Sequence, residues 1–201
     1  LKATFARINR SLNTHKNTTR VMLKYLSAVA LLFVLAATTA QAQNLIANGN
    51  FQDGLKGWKM SAVNKTAVNL EVSGDYAAYK LTDNHAGLKF VHLNTQTALE
   101  QTVPTQAGES YVFGFGFAAI EGDKQLIVEI DGKPTYTYTI KQQQHASRFS
   151  YRHFVFSARQ PQTTIRIYVA SLSGDDKKGI LLSDVLCDVE KEADLKLYYA
   201  Y

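Results

Sequence analysis

Tyr111, Phe113, Phe115 and Phe117 alternate with Val112, Gly114, Gly116 and Ala118, so a strand through this stretch has one large face and one small face. The aromatic face belongs in a core, where each ring removes roughly 150–250 Å² from water. The small face must then meet something that comes close, either a neighbouring loop or a ligand. Similar short β-like runs, separated by turn signals, are read at 58–63, 69–73, 77–81, 89–94, 98–103, 111–119, 125–130, 135–140, 149–157, 163–170 and 180–189. No stretch keeps a helical period, so the chain reads as all-β, a two-sheet antiparallel β-sandwich. Asp131-Gly132 between two runs is a two-residue hairpin signal. Ile165, Ile167 and Val169 take the core step of their run, leaving Arg166, Tyr168 and Ala170 on the other face.

Charge changes the picture only after it is located. The chain of 201 residues carries 22 Lys and Arg against 17 Asp and Glu, a net +5. Six of those bases (Lys2, Arg7, Arg10, Lys16, Arg20, Lys24) fall in residues 1–42, which hold no acid, so the remainder has 16 bases against 17 acids. A nucleic-acid partner therefore loses its electrostatic support. Met22-Leu23-Lys24, the apolar run 25–37 and Ala40-Gln41-Ala42 together read as a secretory leader over residues 22–42. The rival, a membrane anchor, would need about 20 apolar residues, more than this run supplies, so no membrane span is expected after cleavage. Residues 1–21 are polar and begin with Leu, and translation is expected to start at Met22, with 1–21 a non-native extension. The expected product is a secreted or periplasmic chain with one sandwich over 43–189 and a tail over 190–201. Cys187 is the single cysteine and alternates with Val185 and Val189, which reads as a small buried group and excludes an internal disulfide.

The opening segment Asn48-Gly49-Asn50-Phe51-Gln52, followed by Gly57-Trp58, resembles the start of the secreted carbohydrate-binding modules with a galactose-binding-like jelly roll, the CenC-like carbohydrate-binding family. The family form is Asn-Gly-Asp-Phe-Glu, a few residues, then Gly-Trp; Asn50 stands here for Asp and Gln52 for Glu. Val91-His92-Leu93-Asn94, Ala107-Gly108-Glu109-Ser110-Tyr111, Phe154-Val155-Phe156 and Leu181-Leu182-Ser183-Asp184-Val185 follow in the family's order, so the resemblance spans nearly all of 43–189. It implies a jelly roll and a non-catalytic role in holding a polysaccharide or cell-surface glycan. It also implies a structural calcium between the opening segment and the last strand, held by the Asn48 or Gly49 carbonyl, the Asn50 and Gln52 amides and Asp184. Calcium takes six to eight oxygens and prefers charged ones, and only Asp184 is a carboxylate in the matched set. The alternative is a metal-free tie in which Asn50, Gln52 and Asp184 bond to one another.

Sugar recognition needs flat aromatic faces for the CH-rich side of a pyranose and polar groups for its hydroxyls. Tyr79, His92, Asn94, Gln101, Arg152 and Tyr168 are the residues read as the ligand-binding set. Trp58 reads as a core or hinge residue. Enzymatic signatures are absent: the chain has no Gly-x-Ser-x-Gly, His-Glu-x-x-His, phosphate loop or Cys-x-x-Cys. Glu100, Glu121, Glu129 and Asp131 would form a glycosidase pair only if folding brought two of them together. Two other classes stand beside carbohydrate binding: a surface or periplasmic protein-interaction domain with a protein partner, and a small glycan hydrolase or lyase.

Overall fold

The computed structural model describes residues 44–63, 67–82, 88–172 and 178–190. Residues 1–43 and 191–201 lie outside the described set, and with them the leader expected over 22–42 and nearly all of the tail expected over 190–201. The chain is all-β. Among the described residues ten strands run in order: β1 Lys59–Ala62, β2 Glu71–Ser73, β3 Phe90–Leu93, β4 Thr97–Pro104, β5 Ser110–Ala119, β6 Lys124–Ile130, β7 Lys133–Ile140, β8 Ser150–Ser157, β9 Gln162–Ser171 and β10 Ile180–Val189. Among the described residues one short helix, α1 Gln142–His145, stands between β7 and β8. The strands form two antiparallel sheets, β1-β4-β9-β6-β7 and β2-β3-β10-β5-β8.

The alternation along β5 sets the sandwich. Phe113, Phe115 and Phe117 turn inward and meet Leu99, Leu126, Val128, Ile165, Ile167 and Val169 of the other sheet in one buried cluster. Fully burying a side chain of this size is worth roughly 1.5–3 kcal/mol. The small face does meet a close neighbour, and that neighbour is protein. A Cβ added at Gly116 would lie 2.8 Å from both the Ser183 hydroxyl and the Tyr151 ring. Ala118 packs with Phe90, Phe149 and Leu181 in a second cluster that Tyr76 and Tyr79 cover.

The run at 77–81 is a turn and not a strand. Asp75 accepts a hydrogen bond from the Ala78 amide at 3.0 Å, Leu81 N–H bonds back to the Tyr76 carbonyl at 2.9 Å, and Lys80 takes φ 56°. The apolar spacing there comes from Tyr76 and Tyr79 folding edge-on over Phe90, at 5.4 and 5.3 Å between ring centres. The Asp131-Gly132 turn joins β6 to β7 as expected, with both residues at positive φ (51° and 73°) as a tight hairpin of this kind requires.

β10 carries a register break between Ser183 and Leu186, where Asp184 sits at φ 46°. The opening segment lies along this break: Leu45 N–H donates to the Cys187 carbonyl at 2.8 Å and Val185 N–H to the Gly49 carbonyl at 3.0 Å. Asn44 closes the join, accepting from Cys187 N–H at 2.9 Å and donating to the Val185 carbonyl at 3.2 Å. Cys187 is fully buried, and burial, with Asp188 beside it, pushes its thiol up to about 12. It stays a thiol and acts as a packing group.

Candidate functional site

The outer face of the β1-β4-β9-β6-β7 sheet carries a row of alternating charge across four strands. Register places Lys59 opposite Glu100, Glu100 opposite Arg166, and Arg166 opposite Glu129. The side chains follow the register. Lys59 Nζ lies 3.2 Å from Glu100 Oε2, Arg166 Nε 3.2 Å from Glu100 Oε1, and Arg166 Nη1 3.0 Å from Glu129 Oε2. Arg166 Nη2 also donates to the Ala62 carbonyl at 3.0 Å, and the Ser61 hydroxyl donates to Glu100. The Arg166 guanidinium stands 4.7 Å from the centre of the Tyr168 ring, whose hydroxyl donates to Glu129 Oε1 at 3.0 Å.

Of the four only Lys59 is exposed, and for the partly buried Glu100, Arg166 and Glu129 the cost of leaving water offsets much of the attraction, so the row matters mainly for what it holds in place. It fixes one guanidinium, two carboxylates and one aromatic ring on a single sheet face. Burial alone would raise Glu100, but the Ser61 hydroxyl, Lys59 and Arg166 outweigh it and hold this carboxyl below the usual range. Burial, then the hydrogen bond to Glu129, pushes the Tyr168 phenol up, so it remains a donor at neutral pH.

The six residues read as a ligand-binding set do not form one patch. Tyr168 belongs to the row just described. Tyr79 and His92 meet edge to face at 6.0 Å on the outer face of the other sheet. Tyr79 reaches Glu71 at 3.5 Å, and burial holds the His92 imidazole below its ordinary range against the opposing pull of Glu71. Asn94 caps the β3–β4 turn, its side-chain oxygen accepting from the Gln96 and Thr97 amides at 2.9 and 3.0 Å. Gln101 is buried and uses its amide as a backbone mimic, accepting from Ala47 N–H at 2.6 Å and donating to the Ala47 carbonyl at 3.0 Å.

Arg152, read as one of the ligand-binding set, lies on the inner step of its strand and not on the solvent face that a sugar would reach. It pairs with Phe115 in register, donates to the Tyr138 hydroxyl at 2.8 Å and lies 4.7 Å from that ring's centre. It therefore closes the side of the sandwich where β7 and β8 are the edges.

Four of the five residues matched to the family's calcium site, Asn48, Gly49, Asn50 and Asp184, line one hollow of about 310 Å³ beside the β10 break; Gln52 does not. Their polar groups are already engaged. Asn48 donates to the Gly54 and Lys56 carbonyls at 2.9 and 3.0 Å and accepts from Asp53 N–H at 3.1 Å. The Gly49 carbonyl accepts from Val185, and Asp184 Oδ2 accepts from the Tyr151 hydroxyl at 3.2 Å. Among the described residues no three His, Cys, Asp or Glu side chains gather as a metal site. One carboxylate among engaged amides does not fit calcium. The metal-free tie exists, but Asn44 and the main chain make it, while Asn50 accepts only from the nearby Gln52 amide at 3.3 Å. Adding millimolar calcium, or a chelator, is expected to leave the melting temperature within about 1 °C; stabilisation that follows calcium concentration by mass action would show a site.

Arg166, Glu100 and Glu129 are the functional candidates that the sequence reading left out of its set. Their signal was the non-core step that Arg166 shares with Tyr168 on β9. Among the described residues no helix is long and apolar enough to cross a membrane.

No family model matches the chain, and no curated protein matches it. Solved structures do. The enzymatically active domain of tailspike protein 4 from bacteriophage CBA120 is 16% identical with a TM-score of 0.52, over 73% of this chain and 21% of that one. The chain thus spans about a fifth of the tailspike domain's length. The Stig cyclase Fisc from Fischerella sp. TAU, solved with an indole ligand, is 14% identical with a TM-score of 0.52, over 74% and 98%. TmCBM61, a carbohydrate-binding module solved with beta-1,4-galactotriose, is 16% identical with a TM-score of 0.49, over 74% and 100%. At these identities the two likenesses with TM-scores of 0.52 are ones of fold alone, and the fold is the jelly-roll β-sandwich.

Proposed function

We propose that the protein is a secreted or periplasmic, non-catalytic carbohydrate-binding protein that holds a polysaccharide or cell-surface glycan on the outer face of the β1-β4-β9-β6-β7 sheet. The observation that carries this reading is the fixed row Lys59, Glu100, Arg166 and Glu129 with Tyr168 stacked on its guanidinium. A pyranose offers hydroxyls that donate and accept, and a face of C–H groups. Groups held rigidly before binding lose little entropy on meeting it. The half-buried Tyr168 ring supplies the aromatic part, and Thr164 on the same strand, Thr102 on β4 and Thr137 on β7 extend the polar face. The opening segment's resemblance to carbohydrate-binding modules supports the same reading.

The geometry also weighs against hydrolysis. All four carboxylate oxygens of Glu100 and Glu129 are already engaged, by Lys59, Ser61, Arg166 and Tyr168, so neither carboxyl is set as a free acid or base for a glycosidic bond. Export rests on the leader expected over residues 22–42. Retention of the protein on polysaccharide-containing native gels tests the proposal. Binding that weakens at least tenfold in Tyr168→Ala supports it, and product release from any of the polymers would favour the enzyme reading. Silence on all glycans, with a protein partner recovered, would favour the interaction reading. Among the described residues the exposed large apolar side chains are Met60 on β1, Val155 on β8 in the other sheet, and Val68 and Leu172 in connecting segments.

A further inference from the structure

At one end of the sandwich the β6–β7 turn and the segment joining β8 to β9 enclose a hollow of about 650 Å³, within the size range of small-molecule sites. Its apolar lining is Ile130, Pro134 and Phe156, of which Ile130 and Phe156 are core residues. Two cations, Lys133 and Arg159, line it as well, and both residues are exposed.

The charge is unbalanced. Neither the Lys133 ammonium nor the Arg159 guanidinium has a hydrogen bond or ion pair among the described residues, while most other cationic groups on the sheets are matched to acids or carbonyls. The one acid in the lining, Asp131, already accepts from Thr164 N–H at 2.9 Å through Oδ1, a bond that anchors the turn to β9. The Asp131-Gly132 turn, with both residues at positive φ, sets the backbone from which Lys133 projects. Gln160 and Ser157 add polar groups to the lining, and the Gln160 main-chain carbonyl accepts from the Thr105 hydroxyl at 2.8 Å.

We infer that this hollow is a second binding site, for an anionic sugar residue whose carboxylate or sulfate is held between Lys133 and Arg159 while its ring lies against Pro134 and Phe156. The inference rests on the carbohydrate-binding reading and extends it to acidic glycans. The physical warrant is charge complementarity at a concave, partly apolar surface. A guanidinium matches both carboxylate and sulfate through paired N–H donors, and an ammonium adds a point charge. A neutral sugar brings hydroxyl acceptors but no charge, whereas a single carboxylate or sulfate, together with Asp131, balances both cations of the lining.

The test uses the full-length chain on native gels containing polygalacturonate, dextran sulfate, poly-glutamate or a panel of neutral polysaccharides. The double variant Lys133→Gln with Arg159→Gln is compared with a charge-matched control, Lys56→Gln with Lys80→Gln, whose sites are also exposed. Binding to polygalacturonate or dextran sulfate is expected to weaken at least tenfold in the first variant and to stay unchanged in the control. Whichever of the two polymers shows the loss identifies the anion as carboxylate or sulfate. Neutral-polymer binding through the Tyr168 face is expected to persist in the double variant. Equal weakening in both variants, equal retention of poly-glutamate, or acidic-polymer binding indifferent to Lys133 and Arg159 would overturn the inference alone, provided that neutral polymers still bind. Failure of every polysaccharide, neutral and acidic, would overturn the carbohydrate reading as well.

Discussion

Gly49→Ala is expected to destabilise the fold by about 4 kcal/mol or more, at the upper end of single substitutions. A methyl at this position would overlap the Val185 carbonyl oxygen, with the Val185 carbonyl carbon at 2.9 Å and the Ile46 side chain at 3.2 Å. The obstructing atoms are main chain of a central strand, which cannot rotate away as a flexible side chain would. Relief therefore requires the opening segment to lift from β10. That movement breaks the Val185 to Gly49 bond and strains the neighbouring Leu45 to Cys187 bond. For a domain of this size the loss corresponds to a fall in melting temperature of roughly 10 °C. Gly54→Ala serves as the comparison. Gly54 has φ +66° but nothing within 4 Å of an added Cβ, so only the backbone preference is lost, about 1 kcal/mol. Equal, small effects at the two glycines would show that the opening segment does not seat on β10 in solution.

Phe51→Ala is expected to cost about 3–5 kcal/mol, the usual range for removing a fully buried ring. Phe51 is 0% exposed and stacks on Trp58 with ring centres 5.7 Å apart. Trp58 is itself buried, and its indole N–H donates to the Asn48 carbonyl at 3.2 Å. Deleting the Phe51 ring therefore opens a cavity against the single tryptophan of the chain. The fluorescence maximum should shift to the red as water reaches Trp58, in step with the lower melting temperature. A variant with unchanged emission and unchanged stability would contradict the placement of this pair. Together with Gly49, these residues make the opening segment a structural clasp. The motif that carries the family resemblance is used to hold the sandwich shut.

Much of the sandwich was legible because alternation is a local property. Tyr111 to Phe117 and Ile165 to Val169 state their core faces in the sequence, and Asp131-Gly132 states its turn. The same rule, applied strictly, would have turned Arg152 and Gln101 inward, since Arg152 shares its step with Phe154 and Phe156, and Gln101 shares its step with Leu99 and Val103. Their polar chemistry suggested solvent, whereas each is satisfied inside, by Tyr138 and by the Ala47 main chain. The turn at 77–81 was misread because Tyr76 and Tyr79 cover a small second cluster on the outer face, so their spacing reflects packing without a strand. The charged row was beyond the sequence for a different reason. Arg166 meets Glu129 across 37 positions and lies in register with Glu100 on another strand. Nothing local in the chain specifies that β9 runs between β4 and β6.

The most direct test of the account is the affinity of the full-length protein for a polysaccharide panel, compared with that of Arg166→Ala. The account predicts that at least one polysaccharide binds the parent protein, and that the variant, folded by circular dichroism, binds it at least tenfold more weakly because Glu100, Glu129 and Tyr168 lose the group that fixes them. Equal binding by the two proteins, or no binding by the parent protein to any polymer, would contradict it.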